Sequence, residues 1–261
     1  MIKSQERLTF LVTNDDGIEV YFLRALVNAL SAQGNVYVAA PKQEQSWVGR
    51  KVSRHQEIQI EEYTGFDGAK AWAIDGTPTD AVNIALGHLL PKKPDVVVSG
   101  INVGFNALLP ILLSSGTLAG ALEGAGWEIP AVAFSIHLLA KDFNEVKLDQ
   151  VNPTETVRTR VDRAAKLATD YTLKKVGEGN EDCQVDNVNF PSRVDESSKW
   201  IATQPGKIKI GSFFERRGND RFRFRYSGRA TIESRPGLPN DWDTFNNGNI
   251  SVSTLKFNKL A

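Results

Sequence analysis

The sequence predicts an α/β fold built around a largely parallel sheet. Residues 8–13 and 96–99 are short, nearly continuous apolar runs, which are typical of strands covered on both faces. Between the first run and a second strand at 36–40, apolar residues recur at helical spacing over 22–30, and Gly34 marks the helix end. This β-α-β order places the loops that follow the strands at one edge of the sheet.

The same signals extend the prediction along the chain. Further strands are expected at 57–61, 71–74, 129–135, 183–190 and 250–255, and further helices from Thr77 to about Leu90, from Ser115 to near Gly126, and over 151–176. Thr77 is the expected N-cap of its helix, with Pro78 at the first position and Asp80 reaching back. We therefore expect one domain over 1–261, ending in a short C-terminal strand segment.

A protruding β-hairpin is expected at about 205–230. Within it, aromatic and arginine residues alternate over 213–226, and Gly218-Asn219-Asp220 provides the turn. Such a hairpin could bind RNA by stacking and phosphate contacts. Burial of one of its faces against a partner subunit is favoured, because the chain as a whole is neutral.

Composition excludes several classes of protein. The 261 residues include 31 basic and 31 acidic side chains, so no global field attracts a nucleic-acid polymer or an anionic membrane. Cys183 is the one cysteine, which excludes an intramolecular disulfide and a cysteine-built metal site. The N-terminal apolar run is too short for a signal segment or a membrane span. We expect a cytoplasmic protein.

Polar residues follow three of the predicted strands, where open α/β sheets bind their ligands. The first loop supplies Asp15 and Asp16, the second Ser46, and the third Asn102 and Asn106. Two carboxylates, a hydroxyl and an amide carbonyl are hard oxygen ligands that suit Mg²⁺, Mn²⁺ or Ca²⁺. Taken singly, an Asp-Asp-Gly sequence more often forms a turn, and Asn102 would more often be a turn residue. Because these residues all follow strands of one sheet, a metal site is favoured.

Ser115-Gly116-Thr117 complements that site. It lies at a predicted helix N-terminus, where free N–H groups and the helix dipole favour an anion, and Gly116 allows close backbone approach. A plain helix cap is the alternative interpretation. A metal beside a helix N-terminus would suit a phosphoryl group, whose transfer generates negative charge.

The chain resembles the survival protein E (SurE) family of nucleotidases through several long blocks in order. They are Leu11-Val12-Thr13-Asn14-Asp15-Asp16-Gly17-Ile18, Ala40-Pro41 through Gln45-Ser46, Asp75-Gly76-Thr77-Pro78-Thr79-Asp80-Ala81-Val82, Val97 through Asn106, Ser115-Gly116-Thr117 through Glu123-Gly124, and Ile129 through Ser135. They cover about residues 8–135 densely, whereas the rest of the chain matches only in outline.

The resemblance implies a Rossmann-like three-layer α/β/α fold and divalent-metal-dependent hydrolysis of phosphomonoesters, chiefly nucleoside 5′-monophosphates. It implies one metal ion per subunit, held by Asp15, Asp16, Ser46 and Asn102, with Asp15, Asp16 and Asn102 as catalytic residues. It implies phosphate contacts from Asn106, Ser115, Gly116 and Thr117, and a homodimer or homotetramer. A broad acid phosphatase and a non-catalytic nucleotide-binding module are the alternatives.

The chain also departs from the family pattern. Trp47 follows Ser46 where the family usually has small residues, and it could stack on a base or simply pack. Residues 107–110 stand where the family usually has a glycine and an acidic residue, so the resemblance does not determine the shape of the substrate pocket. The chain stops soon after Leu255, which leaves its oligomeric state open. His55 is a candidate for contact with the substrate.

Two rival enzyme classes fail on their motifs. An aspartyl-phosphate phosphatase would need a nucleophilic aspartate at the position of Asn14, and an amide cannot form that intermediate. A dinucleotide-binding enzyme would need a glycine-rich first loop, whereas this loop is acidic.

Overall fold

The computed structural model describes residues 7–176, 178–180, 183–226, 231–233 and 236–257, and a nine-stranded sheet forms its centre. The central sheet contains β1 (Leu8–Thr13), β2 (Gly34–Pro41), β3 (Ile60–Tyr63), β4 (Lys70–Ile74), β5 (Val96–Val103), β6 (Ala131–Ile136), β7 (Gln184–Phe190), β8 (Trp200–Ala202) and β13 (Ile250–Lys256). Two separate two-stranded sheets are formed by β10 (Phe214–Arg216) with β11 (Phe222–Phe224) and by β9 (Lys207–Ile208) with β12 (Ile232–Glu233).

Helices follow β1, β4, β5 and β6 in the first two thirds of the chain. The helices are α1 (Tyr21–Ser31), α2 (Pro78–Ile84), α3 (Leu109–Leu112), α4 (Gly116–Gly126), α5 (Ala140–Val146), α6 (Glu155–Val176) and α7 (Asp241–Asn246). A π-helical turn over Ala85–Leu89 continues α2. Within the described residues, no helix is both long enough and apolar enough to cross a membrane.

The order of the strands creates a switch point between β1 and β5. The sheet runs β3-β4-β2-β1-β5-β6-β7-β13-β8, and β1 pairs in parallel with both β2 and β5. The chain leaves β1 towards β2 on one side and later returns to β5 on the other. The carboxyl ends of β1 and β5 therefore border a crevice, which is where open α/β sheets bind ligands.

Helices cover both faces of the sheet, as the central strand β1 requires, because its side chains are apolar on both faces. Phe10 and Val12 point into a core cluster with residues of α1 and α6, including Leu26 and Val161, whereas Leu11 points into a second cluster with residues of α2 and α4. The predicted three-layer α/β/α fold is thus confirmed.

Local sequence signals place most elements correctly. Thr77 and Asp80 form the expected capping box, in which the Thr77 side chain accepts from the Asp80 N–H at 3.2 Å and Asp80 accepts from the Thr77 N–H at 2.9 Å. Ser115 caps α4 by accepting from the Leu118 N–H at 3.0 Å. These helices begin as predicted because each N-terminal cap is formed by residues only three positions apart in the sequence.

Several features of the structure differ from the prediction or go beyond it, and most of them depend on how the strands pair. The strand expected at 57–61 lies at Ile60–Tyr63, where it pairs with β4. β5 continues to Val103, so Asn102 lies on a strand that pairs with β6 rather than in the following loop. The C-terminal strand β13 lies inside the sheet between β7 and β8. The short helices α3 and α5 were not predicted.

The predicted hairpin is formed by β10 and β11. Phe214 pairs with Phe224 and Arg216 with Phe222 in antiparallel register. Arg217 donates its N–H to the Arg221 carbonyl at 2.8 Å across the turn. The hairpin expected over 205–230 includes residues 227–230, which lie outside the described part of the chain.

Candidate active site

A cavity of about 660 Å³ lies at the carboxyl edge of β1 and β5. Its polar lining comes from Asp15, Asp16, Glu44, Ser46, Asn102, Asn106, Ser114, Ser115, His137, Asn144, Lys147 and Gln150, and aromatic side chains line other parts of it. Its volume falls within the range of about 300–1,000 Å³ that is typical of small-molecule sites.

The loop after β1 aims two carboxylates into this cavity. Asn14 donates from Nδ2 to the Gly17 carbonyl at 2.8 Å and so closes the turn, and Gly17 adopts a φ of 108°, which favours glycine. Asp16 Oδ2 accepts the Val103 N–H at 2.9 Å, which ties this loop to the end of β5. Asp15 and Asp16 are 5 % and 8 % exposed, so the pair is buried in the floor of the site.

A chain of hydrogen bonds holds Asp15 against the N-terminus of α4. The Thr117 hydroxyl donates to Asp15 Oδ1 at 2.6 Å, and Asn106 donates from Nδ2 to Thr117 Oγ1 at 3.0 Å. A Cβ at Gly116 would lie 2.8 Å from the Asp15 Cβ and 2.9 Å from its Oδ2. The helix can approach Asp15 this closely only because residue 116 is glycine.

Burial is the main influence on the protonation of both carboxyl groups. It raises the pKa of Asp15, which the Thr117 hydrogen bonds lower only in part. Burial, and then the charge of Asp15, hold the pKa of Asp16 well above its usual range, although the hydrogen bond from the Val103 N–H and, to a lesser extent, the charge of Lys147 lower it. A cation between the two carboxylates would reverse this penalty by favouring the charged forms.

Ser46 and Asn102 reach the same cavity from two other elements. The Gln45 N–H donates to the Asp15 carbonyl at 2.7 Å, which fixes the loop after β2 beside the carboxylates. Ser46 is exposed and donates from Oγ to Glu44 Oε1 at 2.5 Å. Asn102 lies near the end of β5 and is 9 % exposed. All four predicted metal ligands therefore line one cavity.

The donor set fits a hard divalent cation. Among the described residues, no three histidine, cysteine, aspartate or glutamate side chains are arranged to hold a metal. Two carboxylates with a hydroxyl and an amide oxygen would instead form an incomplete oxygen shell, which suits ions such as Mg²⁺ that retain several waters. The buried, mutually repelling carboxylates of Asp15 and Asp16 are the feature that a cation would stabilise.

The predicted phosphate-binding residues divide into two groups. Asn106 and Ser115 line the cavity, whereas Gly116 and Thr117 lie behind it at the start of α4 and contact Asp15. Both N–H groups of the Asn106 side chain are used within the protein, because Nδ2 also donates to Ser135 Oγ at 2.9 Å. Asn106 thus holds the Thr117 side chain in place in this structure.

The cavity also contains residues that the sequence reasoning missed. Glu44 adds a third carboxylate and raises the pKa of both aspartates, though less than burial does. Lys147 also lines the cavity, with its Nζ 5.3 Å from the centre of the Phe143 ring. No local pattern marks either residue, since they reach the site from a loop and from the end of α5. His55, a candidate for substrate contact, is exposed and does not line the cavity.

Comparison with known proteins finds relatives that match most of the chain. The family model described as survival protein SurE matches residues 10–212. A protein named 5′-nucleotidase SurE from Methanococcoides burtonii is 30 % identical over 252 residues, which span 96 % of this chain and 94 % of the relative. Another of that name from Nostoc sp. is 33 % identical over 265 residues, spanning 96 % and 93 %.

A solved structure shares the fold as well. The crystal structure of the SurE protein from Aquifex aeolicus superposes with a TM-score of 0.71 at 30 % identity, covering 97 % of this chain and 94 % of that one. The sequence match extends across most of the chain, and the architecture is the same. This chain belongs to the survival protein SurE family.

Proposed function

We propose that this protein hydrolyses nucleoside 5′-monophosphates to nucleoside and phosphate with the help of a divalent metal ion. The observation that carries the proposal is the buried pair Asp15 and Asp16, held at a sheet switch point against the N-terminus of α4. The relatives named 5′-nucleotidase SurE support the substrate class.

Asp15, Asp16, Ser46 and Asn102 would hold one Mg²⁺, Mn²⁺ or Ca²⁺ ion. When bound, the metal supplies Lewis-acid chemistry, polarising the phosphoryl group and activating water. Hydrogen bonds already orient the two carboxylates for this role. Oδ1 of Asp15 accepts from the Thr117 hydroxyl, and Oδ2 of Asp16 accepts from the Val103 N–H. These bonds hold both carboxylates in place beside the cavity.

The remaining residues act on the phosphate and on water. The Ser115 hydroxyl and the Gly116 N–H at the start of α4 bind phosphate oxygens, because a helix N-terminus favours an anion. The Thr117 N–H already donates to Asp15, so Thr117 supports the phosphate through the position of the helix. Asn106 completes this cradle by holding Thr117 in place. A carboxylate of the Asp15/Asp16 pair orients the attacking water and accepts its proton.

Phosphate release from a substrate panel tests the activity. We expect release from 5′-AMP in the presence of Mg²⁺, Mn²⁺ or Ca²⁺ and none after chelation. A broad acid phosphatase would cleave p-nitrophenyl phosphate and glycerol phosphate at comparable rates. A non-catalytic module would bind nucleotide without releasing phosphate.

Asp15→Asn tests the site within the same assay. Because an amide lacks the negative charge that holds a cation, we expect turnover to fall at least about 100-fold, as for loss of a principal electrostatic element, while the circular dichroism spectrum is retained. The matched control is Asp67→Asn in an exposed turn. Unchanged metal-dependent activity in Asp15→Asn would defeat the assignment.

Two further features complete the proposal. We propose a homodimer or homotetramer, supported by Phe214 of the hairpin, which is 56 % exposed. Light scattering on the purified protein measures this directly.

We also propose a cytoplasmic location, supported by the single cysteine; cell fractionation tests it.

A further inference from the structure

Four aromatic side chains from two distant segments meet beside the cavity, and three of them line it. Trp47, in the loop after β2, contacts three rings of the hairpin segment: its ring centroid lies 5.3 Å from Phe213, 5.0 Å from Phe224 and 5.7 Å from Tyr226. We call this group the aromatic rim. It joins the hairpin to the loop that carries Ser46.

The aromatic rim is an exposed part of the cavity wall, whereas the two carboxylates are a buried part of it. Trp47, Phe224 and Tyr226 line the same cavity as Asp15 and Asp16. Trp47 and Phe224 remain 40 % and 43 % exposed, whereas the two aspartates are almost fully buried. A ligand that places its anionic end on the carboxylate side would therefore extend outwards across open aromatic surface.

The backbone fixes Trp47 relative to the proposed metal ligands. Trp47 directly follows Ser46 and adopts a φ of 61°, a conformation that bulky residues rarely occupy unless the surroundings hold it. The neighbouring Gly49 donates its N–H to the Ser114 carbonyl at 3.0 Å, next to the cap of α4. The loop is thus attached at both of its ends to the phosphate side of the cavity, at Asp15 and at Ser114.

We infer that the aromatic rim is the subsite for the leaving group and that it binds the planar base of a nucleoside monophosphate by stacking. This deepens the proposed function and rests on it. Aromatic faces accept every base because each base presents a π-surface. The rim should therefore discriminate strongly between nucleotides and sugar phosphates that lack a base, and only weakly among bases.

The test compares 5′-AMP with ribose 5-phosphate, which carries the same phosphate and sugar without the base. The measured quantity is the ratio of the two kcat/KM values. Trp47→Asn removes the ring but keeps a residue that tolerates positive φ, and Phe224→Ala removes the opposing ring. Phe222→Ala is the matched control, because Phe222 lies on the same strand, is exposed and does not line the cavity.

We expect the ratio to fall about 10- to 100-fold in Trp47→Asn and in Phe224→Ala, since base stacking is typically worth this much. It should stay within about twofold of wild type in Phe222→Ala, and Trp47→Phe should retain most of it. An unchanged ratio in both rim variants would overturn the inference. An equal loss on both substrates would overturn it too, since the rim would then only support the fold or bind a second subunit.

Adenosine binding separates this inference from the proposed activity. Calorimetry with adenosine needs no turnover, so it reports on the rim even if the wild-type protein releases no phosphate. We expect binding that weakens in Trp47→Asn by the same factor as the ratio and is kept in Phe222→Ala. Equal adenosine affinity in wild type and Trp47→Asn would overturn the inference, whereas absent phosphate release would count against the proposed function alone.

Discussion

Thr117 links the candidate metal site to the helix behind it. Its hydroxyl donates to Asp15 at 2.6 Å and accepts from Asn106 at 3.0 Å, and the residue is fully buried. Asn106 is held in turn by Asn189, which accepts the Asn106 N–H at 2.8 Å. Groups that orient a ligand in this way commonly alter metal affinity or activity when they are removed.

Thr117→Val is therefore expected to weaken metal affinity or activity by about 10- to 100-fold, the usual effect of removing an outer-shell partner. The isosteric change removes the hydrogen bond and leaves the packing of α4 intact. Metal titration combined with steady-state kinetics measures the effect. Thr117→Ser restores the hydroxyl and should recover most of the loss; failure of serine to do so would show that the methyl group matters instead.

The buried carboxyl group of Asp241, which lies away from the active site, is expected to make the stability of the protein depend on pH. It is fully buried at the start of α7 and accepts N–H groups from Gly206 at 2.9 Å and Leu108 at 3.1 Å. Burial raises its pKa from 3.8 to about 6, although the backbone N–H groups favour its charged form. The folded protein therefore binds a proton at Asp241 more tightly than the unfolded chain does.

The sign of the expected effect follows from linkage. The contribution of Asp241 to the free energy of unfolding should rise as the pH falls through about 6 and level off below about 4, by up to about 3 kcal/mol. Urea unfolding of wild type and Asp241→Asn between pH 4 and 7 measures it. The stability difference between them should shift towards wild type on acidification; a difference that is constant with pH contradicts the assignment.

At the level of elements, a buried ion pair joins α6 to β7. Lys175 Nζ lies 3.0 Å from Asp186 Oδ2, and the two side chains are only 3 % and 5 % exposed. Asp186 also accepts from the Tyr171 hydroxyl at 3.0 Å and from the Thr254 hydroxyl at 2.7 Å, which brings in β13. The pair therefore lies where the last strands of the sheet meet a covering helix.

Lys175→Met is expected to lower the free energy of unfolding by about 3–5 kcal/mol, because it leaves the Asp186 carboxylate buried without its counter-charge. Urea denaturation provides the measurement. Lys174→Met, on the exposed neighbour in the same helix, should change stability by no more than about 0.5 kcal/mol. Equal effects of the two substitutions would show that the ion pair adds nothing beyond general helix charge.

The elements also show where sequence reasoning succeeds. The boundaries of β1 and the capping box of Thr77 and Asp80 follow from patterns a few residues long, and both are confirmed. The extension of β5 to Val103 depends on pairing with β6, and the position of β13 on pairing with β7. Such pairings join distant segments, so no local pattern carries them.

At the scale of the whole molecule, the topology assembles the candidate site. The loops after β1 and β2 and the end of β5 meet because these strands are neighbours and run in parallel. The sequence predicts this convergence of Asp15, Ser46 and Asn102 because each residue follows a predicted strand of one sheet. It does not predict Glu44 or the packing of Phe224 against Trp47, since these depend on the exact paths of a loop and of a distant hairpin.

The most direct test of the central claim is a Mn²⁺ titration followed by electron paramagnetic resonance, in wild type and in Asp16→Asn. The claim is that the two buried carboxylates share one divalent cation. We expect one Mn²⁺ bound per wild-type chain and affinity at least about 100-fold weaker in Asp16→Asn, since a charged, direct ligand should matter more than the outer-shell groups whose loss costs 10- to 100-fold. Equal Mn²⁺ affinity in the two proteins would contradict the claim.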